Sequence, residues 1–446
     1  EETHNPIELH ATVAQWSGKG ADESVTIYET SQAIATHRNV IAQILGVPKE
    51  NVRVITKFLG SGFGGKLWPW THSALAAQTA RLIKRPVKLV IDRHMAFTNV
   101  GHRPRTQQHI KISADEKGNF TSLTHDYATQ GAMFGDYKEN CGEVTGFLYK
   151  CPNVMVTSGV ARRNQPVPTS MRGPGAVPGL FALESSIDEL AVELGMDPVE
   201  LRILNDVQED QVSGNPFSSR KFKECLELGS SKFGWSKRSA KPGSMKQGEE
   251  VLGWGVAACT WQAKKVPTEA LVEFTEQGRI RVKSATHDIG TGMYTAIAQI
   301  VSELAGVPLN IIDVEIGDTD LPPGALAGGS MATGSMISAL SQAVKKATAN
   351  LTGGAAATPS SPFYGQKPEA LQYMKGKVSG PKGGSVSFGE LVRKMNMSSV
   401  AGKGVEPGNF GADEKKAKFS TKSFGAHFVE VAWNPGLARL RVSRVV

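Results

Sequence analysis

The segment GSGFGGK, residues 60–66, has the composition best suited to binding a ligand through the backbone. Four of its seven residues are glycine, and glycine tolerates positive φ angles and close approach of a ligand. Consecutive backbone N–H groups in such a turn can bind an anion. The segment follows a predicted strand and precedes a helical run at 72–84. It therefore predicts an anion- or cofactor-binding loop, and a tight turn without a ligand is the alternative.

The same segment also fits GxxxxGK, the pattern of a nucleotide-binding P-loop. Leu67 occupies the position of the Ser or Thr that would bind Mg²⁺, and its side chain has no oxygen to offer a hard cation. Residues 68–70, Trp-Pro-Trp, delay the helix, so its N-terminus would not lie under a bound phosphate. Both features disfavour a nucleotide hydrolase. Mg²⁺-dependent ATP binding that Lys66→Ala abolishes would be the sign of one.

A similar unit occurs twice in the chain, at 30–62 and at 286–319. In each copy a predicted amphipathic helix ends at Gly-Val-Pro, where Gly suits a helix C-cap and Pro prevents continuation. A short strand and then a glycine-rich stretch follow, GSGFGGK in the first copy and PPGALAGGS at 322–330 in the second. We interpret the two copies as an internal repeat, with chance similarity of two common connections as the alternative.

Several further elements follow from local patterns. A strand is predicted within 85–93, a hairpin over 109–127 with its turn at 117–119, and a helix over 181–195. Asp197 and Pro198 have the types of an N-cap and first helical residue, so they predict the start of the next helix.

The polar, basic and non-periodic segment 236–250 is predicted to be a linker. It would separate a first domain, 1–235, from a second domain, 251–446. The low-complexity stretches 352–366 and 377–384 predict a surface insertion in the second domain. At 446 residues the chain is long enough for two domains.

Composition excludes several classes of function. The net charge is +8, but the Lys and Arg residues are scattered and form no long run, so nucleic-acid binding is not expected. No apolar run is long enough to span a membrane. The four cysteines lack the close spacing of a zinc or iron–sulfur site and are predicted to be buried free thiols. An iron–sulfur cluster, if the chemistry needs one, would be carried by another chain or segment.

Five motifs occur in a fixed order: THNPIELHATVA at 3–14, GSGFGGK at 60–66, a long segment at 171–202 that begins MRGPG, DIGTGMYTAIAQ at 288–299 and GGSMATGS at 328–335. Together they resemble the molybdopterin-binding large subunit of the molybdenum hydroxylases, the xanthine dehydrogenase and aldehyde oxidoreductase family, and particularly its bacterial aldehyde-oxidising branch. The resemblance implies an α+β fold. It would consist of two related molybdopterin-binding domains with mixed sheets and flanking helices, and the cofactor would lie between them.

The resemblance also implies the site residues. The first glycine loop would approach the molybdenum end of the cofactor, Arg172 and Gly173 would line the same pocket, and the two later motifs would donate hydrogen bonds to the pterin and its pyrophosphate. The implied cofactor is molybdopterin with molybdenum, expected as the cytosine dinucleotide, with no direct metal ligand from this chain. The implied cofactor-binding residues are Gly62, Phe63, Gly64, Gly65, Arg172, Gly173, Gly290, Thr291, Gly292, Ser330, Ala332, Thr333, Gly334 and Ser335.

Two departures from the family pattern refine this expectation. Purine-oxidising relatives carry a glutamate where this chain has Leu67, so we expect a substrate pocket for an aldehyde or an aromatic heterocycle. The family's catalytic glutamate lies in a glycine-rich segment near the subunit's C-terminus, and the sequence ends before such a segment. Glu390 is instead predicted to be an exposed charge at a helix start. We therefore expect no catalytic residue in this chain. We also expect it to be a fragment or one part of a split subunit, without an N-terminal hammerhead domain.

The implied activity is hydroxylation of an aldehyde or aromatic heterocycle with oxygen derived from water. Electrons would pass to 2Fe-2S clusters and FAD on partner subunits or segments, and the remaining part of the large subunit would be a further partner. A cytoplasmic location is expected, or a periplasmic one if a partner supplies the signal sequence. The rival hypothesis is a non-catalytic scaffold subunit, in which 62–65 and Arg172 would not need to be intact.

Overall fold

The structure, a computed structural model, describes residues 2–446 apart from the side chain of Ala21. Its helices are α1 Ile34–Leu45, α2 Thr71–Ile83, α3 Arg93–Asn99, α4 Ala176–Glu193, α5 Pro198–Leu204, α6 Phe222–Phe233, α7 Met293–Ala305, α8 Ala332–Ala357 and α9 Phe388–Lys394. Its strands are β1 Ala11–Ser17, β2 Ser24–Glu29, β3 Val52–Ile55, β4 Val87–Val90, β5 Thr106–Ala114, β6 Phe120–Ala132, β7 Val154–Arg163, β8 Glu209–Asp210, β9 Asn215–Pro216, β10 Lys246–Gln247, β11 Glu250–Gln262, β12 Thr268–Thr275, β13 Ile280–Lys283, β14 Ile312–Glu315, β15 Gln372–Met374, β16 Lys377–Ser379, β17 Ser385–Ser387, β18 Ser399–Glu406, β19 Lys422–Asn434 and β20 Arg439–Val445.

These elements form two compact units, neither of which is one continuous stretch of chain. The glycine-loop unit consists of Thr3–His102 and Lys264–Gly411. The Arg172 unit contains Glu2, Arg103–Ala263 and Ala412–Val446. The predicted division of the sequence at 236–250 concerns consecutive domains, which this spatial grouping does not test, and it stays a prediction.

The glycine-loop unit contains two four-stranded mixed sheets with the same topology. Their strand orders are β3-β2-β1-β4 and β14-β13-β12-β18. In both sheets the first two strands in sequence pair antiparallel, and the third pairs parallel with the second after a helical crossover, α1 or α7. This correspondence confirms the internal repeat that the sequence predicted.

The connections between helix and strand are also repeated. Helices α1 and α7 end at Gly46 and Gly306, whose φ angles of 65° and 62° are left-handed, as expected of glycine C-caps. A single 3-10 turn follows Pro48 or Pro308 and leads into β3 or β14. Each strand is then followed by a glycine-rich stretch and a helix, α2 or α8. The two glycine-rich stretches therefore occupy corresponding positions in the repeat.

Each sheet of the repeat has its own apolar core. Ile27 and Val54 pack with residues of α1 and α2 against the first sheet. Val272 and Ile280 pack with α7 and with the long helix α8 against the second. The glycine-rich stretches thus leave from strands that are fixed by packing, which favours precise positioning of a bound ligand.

The Arg172 unit contains the sheets β5-β6-β7 and β10-β11-β19-β20. The predicted hairpin is confirmed as β5 and β6, which pair antiparallel. The predicted helix is confirmed as α4, although it begins at Ala176 rather than near 181. Asp197 caps α5 as expected, because its side chain accepts hydrogen bonds from the N–H groups of Val199 and Glu200.

The prediction of a surface insertion at 352–366 and 377–384 is wrong. Residues up to Ala357 continue α8, and Leu351, Ala355 and Phe363 are buried in the core of the second sheet. Residues 377–379 form β16, the middle strand of a small three-stranded sheet. Composition misled here because small residues allow close packing. A Cβ at Gly354 would lie 2.7 Å from the Sδ of Met395.

Among residues 2–446, no helix is both long enough and apolar enough to cross a membrane.

Candidate functional site

Both positive φ angles and close contacts with neighbouring side chains determine the shape of the first glycine loop. Ser61, Phe63 and Gly64 have positive φ angles of 73°, 52° and 103°. Gly62 does not, but a Cβ there would lie 2.3 Å from the Oε1 of Gln32. A Cβ at Gly65 would lie 2.8 Å from the Cγ of His4. The positive φ expected of the glycines is therefore found at Gly64, whereas Gly62 and Gly65 are needed because side chains pack directly against them.

Gln32 is the residue that organises this loop. Its Oε1 accepts hydrogen bonds from the N–H groups of Gly64 (2.9 Å) and Lys66 (3.3 Å). Its own N–H donates to the carbonyl of Lys66 at 2.8 Å. Its Nε2 donates to the carbonyl of Ala327 at 2.7 Å, so the buried Gln32 joins the first glycine loop to the second glycine-rich stretch. This residue was not predicted from the sequence, because a single polar side chain just before a helix forms no recognisable pattern.

Lys66 does not act as a P-loop lysine in this conformation. Its side chain is fully buried, and Nζ donates to the carbonyl and to the Oε2 of Glu8 at 2.9 and 3.0 Å. Burial lowers the pKa of the ammonium, and the hydrogen bond to Glu8 opposes that shift. A lysine held this way has no freedom to reach a phosphate in the loop, which adds to the case against nucleotide hydrolysis.

The loop nevertheless presents free backbone donors. In the described part of the chain, the N–H groups of Gly62 and Phe63 have no hydrogen-bond partner. Those of Gly64, Gly65 and Lys66 are bonded within the unit. Phe63 is exposed, whereas Gly62 is buried. Adjacent donors at a change in the sign of φ can bind an anionic or polar ligand atom, and these two are the donors of the loop that remain available for one.

Buried ionisable side chains lie next to the first glycine loop. The imidazole of His10 donates from Nε2 to the carbonyl of Gly65 at 3.2 Å. The carboxylate of Glu29, which is fully buried, accepts from the Oγ1 of Thr12 at 2.7 Å and lies 3.6 Å from the Nε2 of His72. Burial alone would raise the pKa of Glu29, but its interaction with the nearby His72 brings that pKa below its usual value.

Burial favours the neutral form of three imidazoles in the glycine-loop unit, those of His10, His37 and His287. Burial lowers the pKa of His10 and of His37 to about 4, and that of His287 to about 3. The Nε2 of His287 accepts a hydrogen bond from the N–H of Ile34 at 3.0 Å, which requires an unprotonated nitrogen. Protonating all three imidazoles would place positive charge inside the glycine-loop unit that the single carboxylate of Glu29 offsets only in part.

We expect the free energy of unfolding to fall as the pH drops from about 6.5 to 4. In that range His10, His37 and His287 become protonated in the unfolded chain, whereas they stay unprotonated in the folded chain because burial lowers their pKa values. The lowered pKa values correspond to roughly 3 kcal/mol each for His10 and His37 and roughly 5 kcal/mol for His287. Urea unfolding of the wild type at pH 7.5 and 4.5 measures the difference, and His37→Leu should reduce it. Equal stability of the wild type at the two pH values would contradict the neutral cluster.

The second glycine-rich stretch ends at the first turn of α8. Ser330 is exposed with a φ angle of 59°, and Thr333 is exposed on the first turn. A Cβ at Gly334 would meet nothing within 4 Å, so there is open space beside the backbone. The first N–H groups of a helix have no partner within it and favour an anion. Ser335 differs, because its buried hydroxyl donates to the carbonyl of Met331 at 2.8 Å and accepts from the N–H of Val266 at 3.0 Å.

The turn at 290–292 precedes α7 in a similar way. Gly290 and Gly292 have φ angles of 93° and 77°, and a Cβ at either would meet nothing within 4 Å. Their N–H groups donate to the Oδ1 of Asp288 at 2.8 and 3.2 Å. This carboxylate therefore already satisfies two of the donors that were expected to face the pyrophosphate. Thr291, between them, is exposed.

Leu67 lies where the two glycine-rich stretches meet. Its Cδ2 would be 3.0 Å from a Cβ placed on Gly328, and its side chain is partly buried. An apolar side chain in this position makes the adjoining surface unsuited to an isolated charge.

In the Arg172 unit, the motif MRGPG forms a tight turn before α4. Gly173 and Gly175 have φ angles of 68° and 72°. The side chain of Arg172 is exposed, whereas Gly175 is buried. The motif therefore presents a guanidinium, a planar donor suited to an anionic or carbonyl oxygen, from a fixed backbone.

The cysteines and Glu390 are the remaining residues that the sequence raised as possible metal ligands or catalytic groups. Cys141 and Cys151 are buried free thiols as predicted, but Cys225 and Cys259 are only partly buried. Within residues 2–446, no group of three His, Cys, Asp or Glu side chains could hold a metal ion. Glu390 lies in the first turn of α9 and pairs with Lys394 at 3.6 Å, which confirms its interpretation as a helix-start charge.

Comparison of the whole fold defines its class. The chain superposes over its full length on 59% of quinoline 2-oxidoreductase from Pseudomonas putida 86, with a TM-score of 0.83 and 20% sequence identity. The two units thus have an α+β fold that is known from an oxidoreductase.

Comparison of sequences then defines the family. Residues 1–206 and 228–446 match two models that are each described as a molybdopterin cofactor-binding domain. The chain is 35% identical to the aldehyde oxidoreductase molybdenum-binding subunit PaoC of Escherichia coli K12, across all of this chain and 58% of PaoC. It is 30% identical to the putative xanthine dehydrogenase molybdenum-binding subunit XdhA of the same organism, over 68% of this chain and 42% of XdhA. The chain belongs to the molybdenum hydroxylase family, and it spans little more than half of the length of PaoC.

Proposed function

We propose that this chain binds the molybdenum cofactor for an oxidoreductase that hydroxylates aldehydes or aromatic heterocycles. The observation that carries the proposal is the joining of two glycine-rich stretches by Gln32 at corresponding positions of an internal repeat. A dinucleotide cofactor needs backbone donors at separate points along its length, and a repeated loop supplies them. The match to two molybdopterin cofactor-binding domains supports the same assignment.

In this proposal the hydrogen-bond donors of the two glycine-rich stretches bind different parts of the cofactor. The free N–H groups of Gly62 and Phe63 would hydrogen-bond to polar atoms at the molybdenum end. Ser330, which precedes α8, and the first turn of that helix, with Thr333 and the backbone of Ala332 and Gly334, would bind the pyrophosphate of a cytosine dinucleotide. Exposure of Ser330 and Thr333 and the open space at Gly334 support this division. Ser335 would hold the chain rather than the cofactor, because its hydroxyl is bonded internally.

The turn at 290–292 would contribute differently. With the N–H groups of Gly290 and Gly292 bonded to Asp288, their open α-carbons would offer close van der Waals approach to the pterin. Thr291 would offer its exposed side chain and backbone. The fit to a flat ring system is reasonable because no side chain fills the space beside either glycine.

When bound, the molybdenum cofactor would supply two-electron redox chemistry and the transfer of a water-derived oxygen. The chain's own residues would orient the substrate and exclude water. Arg172 and Gly173 would form the polar part of the substrate and cofactor contact in the Arg172 unit. Leu67 would form an apolar part of the substrate pocket. The general base would come from outside this chain, and 2Fe-2S and FAD on partner subunits would accept the electrons.

The preference for an apolar substrate is testable at Leu67. Leu67→Glu is expected to lower kcat/KM for an aromatic aldehyde by about 10- to 100-fold, because it buries a charge against Gly328 without a partner. Leu67→Met, of similar volume, is the control and should stay close to wild type. The assay uses the full-length protein purified with its partner subunits. Equal kcat/KM for the Glu and Met variants would contradict the placement of Leu67 in the pocket.

The reaction type is tested with isotopes. Oxidation of the aldehyde in H₂¹⁸O by the same preparation, with an artificial electron acceptor, is expected to place ¹⁸O in the carboxylate product beyond what aldehyde hydration exchange explains. A heterocycle such as quinoline removes that ambiguity, because its ring carbon does not exchange oxygen. Unlabelled hydroxylated product from labelled water would contradict the proposal.

A further inference from the structure

A buried ion pair in the Arg172 unit holds the turn from which Arg172 projects. We infer that Arg103 and Glu139 are positioning residues that fix this turn, and so determine where the Arg172 guanidinium meets its ligand. The inference rests on the proposed function, because it assigns Arg172 a role in binding. It adds two residues that no motif of the sequence singled out.

Glu139 is the centre of the arrangement. Its side chain is fully buried, and its carboxylate accepts three hydrogen bonds. They come from the Nη1 of Arg103 at 2.8 Å, from the backbone N–H of Gly175 at 2.7 Å and from the hydroxyl of Tyr137 at 2.6 Å. Burial and the adjacent Glu139 raise the pKa of Tyr137, so its hydroxyl keeps the proton that it donates.

Arg103 extends the same connection to the other end of the turn. Its side chain is only 5% exposed, and its Nη2 donates to the carbonyl of Arg172 at 2.7 Å. The pair therefore holds the turn at two points, the carbonyl of residue 172 and the N–H of residue 175. The side chain of Arg172 takes no part in these bonds, and it is exposed.

Close backbone packing prevents the turn at 172–175 from moving relative to the residues that follow Glu139. A Cβ at Gly175 would lie 2.5 Å from the carbonyl oxygen of Asn140, and one at Gly179 would lie 1.9 Å from that of Cys141. The start of α4 therefore packs backbone against backbone on the residues that follow Glu139. The left-handed φ angles of Gly173 and Gly175 complete a turn whose path allows little variation.

Energetics favour a positioning role over a stabilising one. Burying two charges costs desolvation that their attraction only roughly offsets, so a buried ion pair is weak evidence for stability. The forked guanidinium of Arg103 favours one geometry of the turn, because its Nη1 and Nη2 donate to Glu139 and to the carbonyl of Arg172. Its Nε pairs with the half-exposed Glu2 at 2.9 Å, which leaves these two donors for the turn. Displacement of a binding group by about 1 Å can reduce a rate about 100-fold.

The unit contains a matched control for this idea. Glu184 is 5% exposed and, like Glu139, accepts from an arginine, a tyrosine hydroxyl and a backbone N–H. Its donors are the Nε of Arg202 at 2.8 Å, the hydroxyl of Tyr149 at 2.8 Å and the N–H of Ala258 at 2.7 Å. None of these residues belongs to the turn at 172–175. Loss of either carboxylate charge removes a comparable buried interaction, but only one of them bears on Arg172.

The experiment compares Glu139→Gln, Arg103→Lys and Glu184→Gln in the full-length protein purified with its partners. Amide hydrogen exchange of the segment 172–179 and steady-state kinetics are both measured, with rates normalised to molybdenum content. We expect Glu139→Gln to raise exchange in 172–179 and to lower kcat/KM by about 10- to 100-fold. Arg103→Lys, which keeps the charge but loses the forked donor, should show an intermediate loss. Glu184→Gln should leave kcat/KM at the wild-type level, and any rise in exchange that it causes should be spread along α4, on which Glu184 lies, rather than confined to 172–179.

Arg172→Leu separates this inference from the proposed function. If Arg172→Leu lowers kcat/KM but Glu139→Gln behaves like Glu184→Gln in exchange and kinetics, the positioning role alone is overturned. If Arg172→Leu leaves the kinetic constants unchanged, the assignment of Arg172 is wrong and the positioning role falls with it. Should the glutamine variant of Glu139 not fold, Arg103→Lys carries the same comparison.

Discussion

Gly62→Ala is expected to yield a folded protein that has lost most of its molybdenum cofactor. The new Cβ would lie 2.3 Å from the Oε1 and 2.7 Å from the Cδ of Gln32, so Gln32 must move. That movement breaks its hydrogen bonds to Gly64, Lys66 and Ala327 together. Overpacking of this kind costs about 1–3 kcal/mol, which a domain of this size tolerates. The loop, however, would no longer present its donors in one geometry.

Molybdenum content and melting temperature, measured on the same preparations, test this expectation. We expect at least about a tenfold loss of bound molybdenum, the equivalent of roughly 1.4 kcal/mol in cofactor affinity, with a small change in melting temperature. Gly353→Ala is the control, because a Cβ at this position in α8 would meet nothing within 4 Å. A Gly62→Ala protein with full molybdenum would show that Gln32 and the loop are not coupled to cofactor binding.

Glu184→Leu is expected to cause the largest loss of stability among single substitutions in the Arg172 unit. It leaves Arg202, whose side chain is fully buried, with only the more exposed Asp188 as an ionic partner. It also removes the acceptor for the Tyr149 hydroxyl and the Ala258 N–H. Breaking a buried pair by deleting one partner typically costs about 3–5 kcal/mol.

Urea unfolding measures this loss, and an exposed pair supplies its control. Glu224 pairs with Lys221 at 2.8 Å on the surface, with both side chains more than half exposed. Glu224→Ala should leave the free energy of unfolding unchanged within error, since solvent screens such a pair. If Glu184→Leu cost no more than Glu224→Ala, the buried network would contribute nothing to stability.

The sequence predicted well the features that a few neighbouring residues determine. The repeat was visible because Gly-Val-Pro forces the same helix end at 46–48 and 306–308. The cap at Asp197 and the hairpin turn at 117–119 were visible for the same reason, since the types of a few neighbouring residues determine them. The glycine loop at 60–66 was identified by composition, and its free donors at Gly62 and Phe63 agree with a binding role.

The features that were missed depend on contacts between distant parts of the chain. Gln32 matters because of Ala327, which lies 295 residues away in sequence. Glu139 matters because of Gly175 and Arg103, each 36 residues away. A lone polar residue gives no signal of such partners. The end of α8 was misread for a related reason, because small residues that are typical of loops also permit tight helix packing.

The limits of the two compact units likewise depend on contacts between distant parts of the chain. The family models follow the sequence, with one match at 1–206 and one at 228–446. The compact units instead combine early and late segments, so that both copies of the repeat lie in the glycine-loop unit. A linker can be proposed from composition, as at 236–250, but which segments pack together depends on long-range pairing such as that of β11 with β19.

The central claim is that this chain holds a molybdenum cofactor through its two glycine-rich stretches. The most direct test is to quantify molybdenum and fluorescent pterin in the full-length protein purified with its partner subunits. We expect about one molybdenum and one pterin per chain, with both lost together in Gly62→Ala. A complex that is fully active in aldehyde or heterocycle oxidation yet free of molybdenum would contradict it.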